Sequence, residues 1–150
     1  MPVFLKHEEF QLELGNGWVQ VKDDDPEQFT FESTELRSSV VISVMLAHLP
    51  KERLLEAAGV LAESRKQAEL NADPTRKVVF GDSWVTIAEA GEAGHIAYAG
   101  YDDRGQVFRF MGWVTQLKVL SFWVVTETRD NEFSERVFDE VFSGFRIIIP

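Results

Sequence analysis

Apolar and polar positions along this chain alternate first with period two. Phe10-Gln11-Leu12-Glu13-Leu14 puts an apolar side chain on every second residue, the mark of a strand buried on one face, and Trp18 to Lys22 follows after Gly15-Asn16-Gly17. That spacer supplies residues tolerant of positive φ, so the pair reads as a hairpin or tight β-turn. Phe29 to Ser33 and Val40 to Ala47 read as two further strands, the second apolar enough to be central in its sheet. Four strands are therefore expected before any helix.

The period then changes. Lys51 to Leu70 is rich in Ala, Leu, Glu, Lys and Arg, and Pro50 stands where a first helical turn tolerates a missing N–H. A helix follows, with an apolar stripe of Leu54, Ala58, Leu61 and Ala68 interrupted by Arg65. Pro74 ends it, because the residue before a proline is pushed out of the helical region. Lys77 to Phe80, Trp84 to Glu89, a turn at Gly91 to Gly94, His95 to Tyr101, a turn at Asp102 to Gly105 and two long strands within Val107 to Thr128 make an antiparallel meander. Phe133, Val137, Phe138, Val141 and Phe142 mark a terminal helix, with Gly144 just past its end and Phe145 to Ile149 as a last strand. The fold class is α+β: one antiparallel sheet of about six to eight strands, a long helix after the first strands and a C-terminal helix. No linker or repeat divides residues 1–150, so a single domain is expected.

One stretch departs from simple alternation. Val119 to Val125 offers apolar side chains to both faces of its sheet, so both faces need cover. The chain's own helices are one possible cover and an apolar segment of a partner is the other. Gly112 lacks a side chain and lets a neighbour approach Trp113 closely. Phe110, Trp113, Phe122 and Trp123 are the candidate partner-binding residues, weighed against the ordinary use of large rings as core.

Composition narrows the function classes. Charged residues make up 27% and the hydrophobic set 45%, values of a folded domain rather than a disordered chain. With 25 acidic against 15 basic residues the net charge is −10, which disfavours nucleic acid as a partner and suits a basic protein. Cysteine is absent, so no thiol nucleophile, disulfide or zinc-thiolate site is available. The N-terminus has no basic start followed by an apolar run, and no segment approaches the ~18 apolar residues of a membrane span. A cytoplasmic protein that does not insert into membranes is expected.

Reaction chemistry is thin. His7, His48 and His95 fall in separate elements without metal-ligand spacing. Asp23-Asp24-Asp25 lacks the alternating ligands and central glycine of a calcium loop and reads as a solvated turn. Glu89 and Glu92 could be imagined as an acid–base pair, but nothing around them gives reason for a shifted pKa. Neither a nucleophile elbow nor a phosphate-binding glycine loop occurs. No catalytic residue, metal or cofactor is expected.

The order of elements, with Leu14 to Trp18 near the start, Val41-Ile42-Ser43 before the long helix, Gly112-Trp113 in the meander and Phe142 to Arg146 at the end, resembles the DcrB-like family across nearly the whole chain. The resemblance implies a PsbP-type α/β/α sandwich. It further implies one of two settings, lipoprotein-like periplasmic members or cytoplasmic adaptors of type VI secretion that shield apolar segments of toxic effectors. Lacking a lipoprotein signal, the chain resembles the cytoplasmic branch more. The leading expectation is a non-enzymatic protein-binding module, a secretion-associated chaperone or adaptor, with a homodimer as the competing use of the same surface. An acidic immunity protein that blocks a basic toxin and a small-ligand-binding domain stand as alternatives.

Overall fold

A computed structural model describes residues 2–80, 84–88 and 91–149. The strands are β1 (Val3–Lys6), β2 (Phe10–Leu14), β3 (Trp18–Val21), β4 (Gln28–Ser33) and β5 (Ser38–Leu46), so five precede the first helix rather than four. A turn of 3-10 helix at Lys51–Arg53 leads into α1 (Leu54–Ala72). Then come β6 (Lys77–Phe80), β7 (Trp84–Ala88), β8 (Gly91–Tyr101), β9 (Gln106–Val114), β10 (Lys118–Glu127), α2 (Asn131–Ser143) and β11 (Phe145–Ile147).

Two antiparallel sheets form. The larger runs β3-β4-β5-β10-β9-β8-β6, with β7 paired on β8 beside β6, and the smaller is β1-β2-β11. The expected pairing across Gly15-Asn16-Gly17 does not occur: β2 joins the small sheet and β3 the large one, so the turn carries the chain between sheets. Its Gly17 takes a φ of 95°, which suits a sharp change of direction as well as a hairpin. The expected turn at Gly91 to Gly94 is instead strand, paired with β7 from Ala88 opposite Gly91 to Trp84 opposite His95. At the other turn, Asp102 Oδ1 accepts the backbone N–H groups of Arg104 and Gln106 at 2.8 and 3.1 Å, and Gly105 has a φ of 87°.

β5 lies between β4 and β10, as its apolar sequence requires. On one face of the large sheet Val40, Ile42, Leu120, Phe122, Val124 and Trp113 meet the α2 stripe of Val137, Val141, Phe138 and Phe142. The small sheet packs on that same face through Phe10, Leu12, Leu14 and Phe145. Asp130 starts α2 by accepting the N–H groups of Glu132 and Phe133 at 3.0 and 3.3 Å. On the opposite face α1 sits over β8 and β9, with Leu54 and Ala58 against Ile96, Tyr98, Phe108 and Phe110. The result is the expected α/β/α layering, with the small sheet sharing a layer with α2.

Candidate functional site

The two covering layers are offset. Strands spaced about 4.8 Å apart make the large sheet several times wider than the roughly 10 Å helix α1. One helix therefore leaves the β3, β4 and β5 portion of its face without a helical layer and β10 at the margin, where Val119, Trp123 and Val125 pack against the edge of the α1-side core. The burial pattern records this directly: along β5 and β10, fully buried residues alternate with half-buried ones. The buried set faces α2 and the small sheet, while Ser39, Val41, Ser43 and Met45 of β5 and Val119, Ser121, Trp123 and Val125 of β10 share the other face. Val19 and Val21 on β3 and Thr30 on β4 extend the same surface through the pairs Val21–Thr30 and Thr30–Val41. Val19 is 65% exposed and Met45 61%.

This open face is apolar and small-featured, with serine and threonine between valines. Its positions from β3 to β10 include no lysine or arginine, and Glu32 and Glu127 lie towards one end. Trp123 bridges the open region and the α1 core, packing against the α1-side cluster. Its indole Nε1 is buried without a hydrogen-bond acceptor among the described residues.

The four aromatic candidates separate. Phe110 is 2% exposed and lies under α1, with the Arg65 guanidinium 4.9 Å from its ring centre. Trp113 and Phe122 are buried on the opposite face, where Trp113 stacks on Phe142 at 6.1 Å and Phe122 meets Phe145 at 4.8 Å. These three rings are core side chains and present no surface to a partner, because the chain's own helices and small sheet fill the space beside them. Trp123 alone of the four borders open ground. Gly112 follows the same logic: a Cβ there would lie 2.9 Å from Ile96 Cγ1 and 3.0 Å from Leu61 Cδ2, so the neighbour it admits is α1 and no partner. Val19, Val41 and Met45 escaped the sequence reading because only the strand order shows which of an alternating set is left uncovered.

The polar candidates are engaged structurally. Glu92 pairs with Lys51 at 3.3 Å, while Glu89 lies outside the described residues. Asp23 Oδ1 accepts Gln28 Nε2 and Thr30 Oγ1 at 2.9 and 3.0 Å, and Asp25 accepts the N–H of Glu27, so this acidic run braces a turn. His7 stacks on Phe10, and His95 is buried edge-on to Trp113. Among the described residues no group of three or more His, Cys, Asp or Glu is arranged to hold a metal. No described helix is long and apolar enough to cross a membrane.

Two buried charge clusters went unforeseen. Glu69, 1% exposed, accepts Arg65 Nη2 at 2.9 Å, Tyr98 Oη at 2.7 Å and Arg76 Nη1. Burial raises the Tyr98 phenol well above its ordinary range. Lys118, fully buried, donates to Glu9 Oε2 at 2.5 Å and to the Ile148 carbonyl, tying the ends of the small-sheet strands β2 and β11 to the start of β10.

Sequence comparison finds no family model and no curated protein that matches. The fold, however, superposes on the solution structure of cyanobacterial PsbP (CyanoP) from Synechocystis sp. PCC 6803 with a TM-score of 0.64, covering 98% of this chain and 92% of that one. The chain has the PsbP fold. Identity over the superposition is 16%, so the likeness concerns architecture. A crystal structure from Bacteroides thetaiotaomicron VPI-5482 is similar at a TM-score of 0.42 and 13% identity, over 93% of this chain and 45% of that one.

Proposed function

We propose that the protein is a non-enzymatic binding module which receives an apolar segment of a partner polypeptide on the open face of β3, β4, β5 and β10. The observation that supports this most is the alternation of buried and half-buried residues along β5 and β10, which leaves Val41, Met45 and their neighbours without the helical cover their side chains suit. Apolar burial would supply most of the affinity, at roughly 25 cal/mol per Å² before the cost of association is subtracted. Kinship with the DcrB-like family, and a cytoplasmic adaptor role in type VI secretion, are the finer form of this proposal. They draw on the motifs around Gly17, Ile42, Gly112 and Gly144 and on the absence of cysteine.

The test uses a soluble reporter fused to a model segment of about 20 leucine and alanine residues, the length of a membrane span. Co-production with this protein is expected to keep the fusion soluble and to yield a complex on size exclusion. Val41→Glu and Met45→Glu are expected to abolish both effects without loss of fold. Equal protection by these variants would place recognition elsewhere, and no protection by the natural chain would overturn the proposal.

A further inference from the structure

The offset of the layers leaves a second gap, diagonally opposite the first. On the α2 side of the sheet, where Ala93 and His95 of β8 are covered, the Ala99 to Tyr101 end of β8 and β6 are not, and a cleft of about 810 Å³ remains there. The row of β8 that faces it is Ala99 and Tyr101, with Val79 of β6 opposite Ala99 and Val107 of β9 opposite Tyr101. Alanine at 99 makes the floor deep, while Val79 at 70% exposure and Tyr101 at 55% give it apolar walls open to solvent. A volume in this range, with an apolar lining and a few polar groups at the rim, is that of a small-molecule site.

Three cations lie at or beside the cleft. Lys77 lies opposite Tyr101 and Arg109 opposite Ala99, on the same face as the floor, and Arg129 lines the cleft itself. None of these three cations forms an ion pair with a carboxylate among the described residues, a state they share with other surface cations such as Lys22 and Arg136. Among the described residues Arg129 donates only to the Asp103 carbonyl at 3.3 Å, and Arg109 to Ser134 Oγ and to the side-chain and backbone oxygens of Asn131. Of the two lining carboxylates, Asp102 is turned onto backbone N–H groups and Asp103 stands exposed on the turn.

We propose that this cleft binds a small amphiphilic organic anion, an aromatic or medium-chain carboxylate or sulfonate whose apolar part lies on Val79, Ala99, Tyr101 and Val107 and whose acid group meets Arg129. The site is independent of the open face on the other side of the sheet. Its geometry assigns the two halves of the ligand separately: the floor has no buried polar side chain to satisfy, and the unpaired guanidinium lies at its edge.

The probe is 8-anilinonaphthalene-1-sulfonate titrated into the full chain, read by its fluorescence, with decanoate as competitor. Saturable binding at one site and displacement by decanoate are expected. Val79→Asp and Arg129→Glu should each weaken the probe by about tenfold or more. Val41→Glu, on the opposite face, should leave the titration unchanged. Both test positions are exposed, so melting temperatures should match the natural chain; if either variant melts early, Val79→Ala and Arg129→Gln take its place. Unsaturable binding, unchanged affinity in both cleft variants, or loss of binding in Val41→Glu would each overturn the site. The last outcome would bear on the partner-binding face instead, so the two proposals fail separately.

Discussion

At position 112 a single methyl group decides how closely a helix can approach the sheet. Ile96, Phe110 and Leu61 all lie within 3.0 Å of where a Cβ would stand, and two of them are in the packed α1 core. Gly112→Ala is therefore expected to destabilise the protein by about 1–3 kcal/mol, the cost of overpacking a dense core, seen as a lower denaturant midpoint. An unchanged midpoint would mean that α1 can shift outward freely. Trp113 makes the complementary point. Its ring stacks between the sheet and the α2 side, so Trp113→Ala should cost about 3–5 kcal/mol, as large-to-small core changes do. A substitution of Val19 or Met45, both exposed, should leave stability nearly unchanged.

At the scale of an element, α1 is held at its C-terminal end by charge. The stripe of the first two turns is apolar, but farther along Arg65 stacks over Phe110 and Glu69 is buried where Ala68 was expected to be. Ala68 is exposed instead, since the helix turns the carboxylate toward Tyr98, Arg65 and Arg76. Arg76 lies beyond the helix and stacks over Phe108, so this cluster joins α1, the start of β6 and the sheet. Glu69→Ala would leave two guanidinium groups near a buried site without their counter-charge. About 3 kcal/mol of destabilisation is expected by thermal or chemical unfolding, and the double variant with Arg65→Ala should lose less than the sum. Additive losses would show that the charges act separately.

For the molecule as a whole, buried titratable groups bound the pH range of stability. Burial lowers the His95 pKa below its ordinary 6.5, so the folded chain keeps the ring neutral while the unfolded chain takes up a proton. Its contribution is present above pH 6.5 and is lost as the pH falls through the lower, folded value. Tyr98 works in the opposite sense: burial raises its pKa above 10.0, so its contribution is complete below pH 10 and is lost as the pH rises beyond it. Melting temperature plotted against pH should therefore fall on both sides of neutrality. A Tyr98→Phe variant should flatten the alkaline limb, and a profile identical to the natural chain there would assign that limb to other groups. Association belongs to the same scale. Homodimerisation through the open face would show as a concentration-dependent mass that Val41→Glu removes.

Much of this architecture was legible in the order of residues. Period-two and helical patterns placed α2, β4, β5 and the long strands of the meander, because those periods reflect which side chains a backbone of given geometry puts on one face. The excess of apolar residues in β10 required cover on both sides, which α2 and the small sheet supply fully on one face and the edge of the α1-side core only in part on the other. Local pattern could not say that Gly15 to Gly17 separates two sheets, since a turn residue permits a reversal without choosing its strand partner. Nor could it say which of Phe110, Trp113, Phe122 and Trp123 meets solvent, because burial depends on whether a helix distant in the chain lies above a given strand. The pattern of residues alone required an α+β fold whose central strands need cover on both faces. The tertiary structure decided that its covers are offset, since a helix about 10 Å wide cannot blanket a sheet of this breadth, and so decided where open apolar ground remains.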